Sequence, residues 1–196
     1  QPELGVYDER LLQGLDFLLA EMATRDMVAV VYLNNNWVWS GGHAQYVSWV
    51  EEKPLPNPFL EAHGWPEFMD FSARFYANAE ANAAYRRYIE ILIHRENTIT
   101  VTHYRDDPTI MAWQLGNEPR PGEGESGRRN FEVFTAWVGD TAAFIRSLDP
   151  NHLISTGNEG LKGSIESAET YLDIHRFDSI DYMTVHLWIL NWSWYD

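Results

Sequence analysis

Helical and extended apolar patterns alternate along this chain. Leu11, Leu15, Leu18 and Met22 recur at helical spacing after Asp8, and Leu12 and Leu19 widen the stripe. This predicts a first helix capped by Asp8 and ending near Arg25. Met27 to Leu33 is a continuous apolar, β-branched run, the pattern of a strand buried on both faces in a parallel sheet. Asn34 to Gly64 is long and irregular, with four large aromatics, Trp37, Trp39, Tyr46 and Trp49, ahead of Pro54, Pro56 and Pro58. A stretch of that length is functional or holds short elements of its own. Trp65-Pro66-Glu67 opens a short helix, and Asn78 to Glu96 carries Ala81, Tyr85, Tyr88 and Leu92 on one stripe. After the turn signal Asp106-Asp107-Pro108, a second strand runs from Ile110 to Leu115. Pro121 to Gly127 reads as a loop. Phe131, Phe134, Val138, Ile145 and Leu148 then mark a long helix stopped by Asp149-Pro150. Leu153 to Ser155 is a short strand, Glu166 to His175 a helix, and Tyr182 to Val185 a fourth strand.

Each predicted strand runs into a polar or aromatic cluster. These are Asn34-Asn35-Asn36-Trp37, Asn117-Glu118, Asn158-Glu159 and His186-Leu187-Trp188. Parallel α/β folds gather their sites at the C-terminal strand ends, where the βα-loops converge. A phosphate loop of the G-x-x-x-x-G-K-[ST] form, common in doubly wound sheets, is absent. The expectation is therefore an α/β fold of the (β/α)8 barrel type, with residues 1–196 a partial catalytic domain supplying about half of the barrel.

Composition narrows the partners. Lys and Arg number 14 against 29 Asp and Glu, a formal net charge of −15, which argues against nucleic acid or an anionic membrane surface as partner. There is no Cys, so disulfides and thiolate metal sites are excluded. The seven His show neither H-x-x-x-H nor H-E-x-x-H spacing. Gln1 to Gly5 leads into the first helix without a signal-peptide pattern, and the chain stops at Trp194-Tyr195-Asp196 beside an aromatic loop, so both ends read as cut.

Glu118 is the leading candidate for a general acid/base, with Asn117 placed to hydrogen-bond a sugar hydroxyl. Glycoside hydrolysis needs a second carboxyl across the scissile bond, roughly 5–5.5 Å away in retaining enzymes. From the residues alone, Glu159 is the obvious second carboxylate. His186 ends the fourth strand. Nine Trp is a high count, and Trp37, Trp39, Trp188, Trp192 and Trp194 lie in loops, where an indole can stack on a pyranose. At least half of these are expected only to fill the layer under the loops, and Trp113 to be core.

At this point the sequence resembles glycoside hydrolase family 5, and within it the endo-1,4-β-mannanases. W-Q-L-G-N-E-P matches the Asn-Glu-Pro motif of that family. L-N-N-N-W followed by G-G-H-A-Q-Y-V-S-W is similar to its loop after the third strand. S-T-G-N-E-G resembles the fifth-strand end, and V-H-L-W with N-W-S-W the sixth. The resemblance implies that Glu118 is the acid/base, with a raised pKa beside a charged nucleophile, and that Asn117, His186, Trp188, Asn35, Trp37, Glu159 and Trp192 contact substrate. It implies that Glu159 is not the nucleophile, which belongs to a seventh strand beyond this chain, and that a Tyr common two residues after the histidine is replaced by Trp188. The implied reaction is retaining endo-hydrolysis of β-1,4-mannosidic bonds, with no cofactor, by a protein working outside the cell or in a periplasm. Two alternatives remain: a cellulase or other β-glycanase of the same family, and a non-catalytic carbohydrate binder.

Overall fold

Asp8 accepts a hydrogen bond from the backbone N–H of Arg10 at 3.0 Å and starts α1, Glu9–Ala23. The computed structural model describes residues 1–60 and 63–194, so Tyr195 and Asp196 at the end of the chain lie outside the described residues. Three strands, β1 (Ala29–Tyr32), β2 (Ile110–Gln114) and β3 (Leu153–Ser155), form a parallel sheet in the order β1-β2-β3. Between them lie α2 (Gly42–Glu51), α3 (Gly64–Ala73), α4 (Ala79–Ile93) and α5 (Gly124–Leu148), with α6 (Ala168–Asp173) after β3. The expected parallel α/β arrangement is thus present, with helices packed on the sheet.

The packing explains how β2 is held. Tyr85 on α4 is fully buried and donates its hydroxyl to the Leu115 carbonyl at 2.6 Å, fixing the end of β2. Within β2, the indole N–H of Trp113 donates to Asp149 at 2.7 Å, and His152 bonds the same carboxylate at 2.7 Å. An aromatic layer of Phe75, Tyr76, Tyr85, Phe134 and Trp137 fills the space between α4 and α5. Asp16 on α1 is fully buried and accepts from Nε and Nη2 of Arg95, from the Tyr104 hydroxyl and from Thr98, tying α1 to the loop after α4.

Several expectations are corrected. α1 turns Leu12, Leu15, Asp16 and Leu19 inward but leaves Leu11 and Leu18 71% and 51% exposed. Leu11 lines a groove beside β1 together with Leu15, Tyr32 and Trp49. β1 is not buried on both faces. Val30 and Tyr32 are exposed, because β1 is the edge strand and the face they share is uncovered among the described residues. The irregular stretch after β1 contains α2. The loop expected to run to Gly127 ends earlier, since α5 begins at Gly124 with the Ser126 hydroxyl accepting from the Glu123 N–H at 3.2 Å. The fourth strand is reduced to one bridge, Ser155 to Tyr182. Beyond it side chains also hold the chain, with Thr184 donating to the Asn158 carbonyl and Tyr171 to the Thr184 carbonyl, each at 2.7 Å.

Candidate active site

Pairing continues past the strand ends, and this places the polar clusters side by side. Asn117 N–H donates to the Asn34 carbonyl at 2.8 Å, and Asn36 N–H to the Asn117 carbonyl at 3.0 Å. Glu118 N–H donates to the Gly157 carbonyl at 2.9 Å. Glu118 sits in the left-handed region at φ 53°, the last paired residue before Pro119. Gly157 is required for this approach. It has φ +70°, and a Cβ there would fall 1.8 Å from the Gly116 carbonyl oxygen. Gly42 plays the same part after β1, with a Cβ position 2.2 Å from the Asn35 carbonyl.

The Glu118 carboxylate is 5% exposed and is gripped from three directions. The indole N–H of Trp37 donates to one oxygen at 2.6 Å. The other oxygen receives the indole N–H of Trp188 at 2.7 Å and faces Nδ1 of His186 at 2.5 Å. Burial pushes the carboxyl pKa up, but the hydrogen bonds from His186, Trp188 and Trp37 outweigh it and hold the group below the usual carboxylate range. The expectation of a raised value applies with a charged nucleophile facing Glu118, a group that these residues do not supply. The His186 imidazole is shifted upward, chiefly by its bond to Glu118, against burial. Trp188, at the position where the resemblance leads one to expect a Tyr, supplies an N–H donor to Glu118.

Asn117 is oriented from below: its amide donates to Asn35 Oδ1 at 3.2 Å, and Asn35 donates in turn to the Ser40 hydroxyl at 2.5 Å. Glu159 is 1% exposed and accepts a hydrogen bond from Arg120. Burial raises its pKa despite that partner. Its carboxylate is engaged by the guanidinium, and its backbone carbonyl accepts from the His186 N–H at 3.1 Å, so Glu159 braces the histidine. Six of the eight candidates, Asn35, Trp37, Asn117, Glu118, His186 and Trp188, thus form one connected group, and Glu159 touches it through His186. Trp192 stands apart, half-buried, 4.7 Å from Trp194 and lining a neighbouring pocket with Arg120 and Lys162.

Sequence reasoning missed Arg120, which lies over the Trp37 ring at 5.0 Å while holding Glu159. The available signal was a cation two residues after the carboxylate in an acidic chain. It also passed over Gly122-Glu123-Gly124-Glu125-Ser126-Gly127, which has G-x-G-x-x-G spacing. There the start of α5 carries Glu123 and Glu125 and the Ser126 hydroxyl bonds Asp70, so acidic side chains occupy the place a phosphate would take. Three of the five loop tryptophans do not fill an inner layer, Trp39, Trp188 and Trp194 being 63%, 50% and 56% exposed, whereas Trp37 packs partly buried against the core. Trp113 is core, as expected.

The family model described as GH family 5 beta-mannosidase-like matches residues 1–196. The chain belongs to glycoside hydrolase family 5. Among its relatives, the putative mannan endo-1,4-beta-mannosidase 4 of Arabidopsis thaliana is 36% identical over 93% of the chain and 44% of that protein. Mannan endo-1,4-beta-mannosidase 7 of the same plant is 34% identical over 96% of the chain and 42% of that protein. The crystal structure of a family 5 mannosidase from Rhizomucor miehei superposes with a TM-score of 0.86 at 35% identity, covering 100% of this chain and 45% of that one. An endo-beta-1,4-mannanase from Thermotoga petrophila gives 0.75 at 28% identity, covering 97% and 42%. The chain therefore spans under half the length of these proteins.

Proposed function

We propose that this chain is part of a retaining endo-1,4-β-mannanase in which Glu118 is the general acid/base. The observation that carries the proposal is the buried Glu118 carboxylate at the end of β2, held by Trp37, His186 and Trp188. Glu118 protonates the leaving glycosidic oxygen, then deprotonates the water that resolves the glycosyl-enzyme intermediate. Asn117, fixed by Asn35, bonds a hydroxyl of the sugar at the cleavage point. His186 holds Glu118 in position. No step calls for a metal or an organic cofactor.

The nucleophile comes from outside these 196 residues. Two observations support this. Glu159, the other buried carboxylate of the group, is engaged by Arg120. The chain also covers only 44% of the Arabidopsis relative named first. A charged nucleophile facing Glu118 supplies the negative field that raises the acid's pKa, a field absent from the surroundings described above. The substrate is a mannan-type polysaccharide, and a polymer of that kind places the protein outside the cell or in a periplasm. The test is hydrolysis of mannan by the full-length protein, with the anomer first formed read by NMR. Retention of configuration, abolished activity in Glu118→Gln and an inactive 196-residue chain are expected. Mannan turnover by the 196-residue chain alone contradicts the assignment of the nucleophile.

A further inference from the structure

His43, the second residue of α2, is fully buried, and neither of its ring nitrogens meets a hydrogen-bond partner among the described residues. The ring stacks on Phe75 with centroids 4.6 Å apart and meets Tyr76 and Trp137 edge-on at 5.4 and 5.5 Å. The Tyr76 hydroxyl and the Trp137 N–H are likewise without a partner among the described residues. A buried polar ring left in this way lowers stability and calls for a reason.

The ring lies against the strand ends that carry Asn117 and Glu118. Its Cε1 and Nε2 come within 3.5 and 3.6 Å of the point where a side chain on Gly116 would start, and the Asn34 carbonyl is 3.6 Å from the same point. The His43 N–H donates to the Asn35 carbonyl at 2.9 Å. Asn34 and Asn35 in turn hold Asn117, through its N–H at 2.8 Å and its side-chain amide at 3.2 Å. A proton on the ring has nothing to answer its charge. Tyr76, from the short turn Arg74–Ala77, is the ionisable side chain packed on it, and Tyr85 of α4 stands behind Phe75; burial pushes both phenols up, so both stay neutral. Arg74 on the same turn bonds Glu51. Phe75, Trp137 of α5, Asn34 and Gly116 carry no charge, and the Glu118 carboxylate is taken by Trp37, His186 and Trp188. The start of α2 adds the positive end of a helix. Burial alone holds the imidazole pKa down at about 3.

We propose that His43 is an acid-sensitive wedge: its neutral ring holds the Asn34–Asn35 and Gly116–Asn117 strand ends together, and a proton taken from solvent expels the ring and lets those ends part. The proposal draws on these contacts and not on the glycosidase reading, and its test needs no substrate. The folded ring takes its proton far below the ~6.5 of a free histidine, so the stability it lends is full above ~6.5 and lost as pH falls toward the folded value.

The test is amide hydrogen exchange in the full-length protein, followed by NMR from about pH 7 to about 4.5 and corrected for the intrinsic rate. Protection of the Asn117 N–H should fall about tenfold per pH unit below ~6.5, the slope of one proton taken up on opening. His43→Met and His43→Gln carry no titrating ring and should lose that slope. Other groups at the strand ends do not produce it. Glu118 is held low and weakens the fold only below ~4.3, while the raised values of His186 and Glu159 make it firmer as pH falls. His175 at the end of β3 is also lowered by burial, and His175→Gln should keep the slope. Level protection of Asn117 across the range overturns the proposal. So does a slope that persists in either His43 variant or disappears in His175→Gln. Where neither His43 variant folds, the slopes of wild type and His175→Gln decide.

Discussion

Asp16 provides a quantitative test of how this fold is held. Its carboxylate is fully buried on α1 and accepts from Arg95 at 2.6 and 2.8 Å, from the Tyr104 hydroxyl at 2.6 Å and from the Thr98 hydroxyl at 2.8 Å. Burial pushes the carboxyl up, but the bonds from Arg95, Tyr104 and Thr98 win and hold it at about 2. Against about 3.9 for an unfolded Asp, that difference is worth about 2.5 kcal/mol at neutral pH. Because the folded value is depressed, this stability is present above pH ~4 and lost as pH falls toward 2. Asp16→Ala removes more, since Arg95, with a side chain 10% exposed, loses its buried partner. The expected loss is about 3–5 kcal/mol, or roughly 6–20 °C in thermal midpoint for a chain of this size. Asp16→Asn keeps the shape but points N–H groups at donors, so it should fall between wild type and Asp16→Ala. The assay is urea unfolding of the three proteins from pH 7 down to 2. The variants should show a flatter loss of stability below pH 4, though not a level one, because Asp149 is also held at about 2. A change under about 1 kcal/mol in Asp16→Ala, or an unaltered acid limb, refutes the reasoning.

Other predictions follow from the same geometry. His186 should titrate above the usual ~6.5 by NMR and move down in Glu118→Gln; an unmoved value contradicts the pairing. Gly157→Ala forces a Cβ against the Gly116 carbonyl at 1.8 Å and should lower stability by about 2–5 kcal/mol in chemical denaturation, whereas an unchanged midpoint would show that the strand ends can separate. Burial pushes the His152 pKa down, but Asp149 and the Asp107 carbonyl raise it overall, so its stabilisation is full below ~6.5 and is lost as pH rises through the folded value. Urea midpoints between pH 6 and 9 should therefore fall more steeply in wild type than in His152→Gln, and parallel curves would contradict this.

Much of the fold was legible because burial follows periodicity. The stripe of Ala81, Tyr85 and Leu92 faces inward in α4, and the apolar run from Ile110 is a central strand. β1 shows the limit. A continuous apolar run looks the same whether its second face is covered by nearby residues or left open, so Val30 and Tyr32 could not be told from core. α2 was hidden because it starts at a glycine amid tryptophans and glycines, a composition that reads as loop. The site was legible at its strand ends, since parallel sheets bring those ends together. Arg120 was not, because a lone arginine in sequence looks like a solvated charge until its stack on Trp37 is seen. The direction of the Glu118 shift was likewise beyond sequence, because it depends on three donors from two distant segments.

The central claim is that Glu118 gives and takes the proton of glycoside cleavage. The most direct measurement compares wild type and Glu118→Gln of the full-length protein on mannan and on a dinitrophenyl β-mannoside, whose leaving group needs no protonation. Mannan hydrolysis should fall at least about 100-fold in the variant, while the burst of dinitrophenolate persists. Equal loss on both substrates, or retained hydrolysis of mannan, contradicts the role assigned to Glu118.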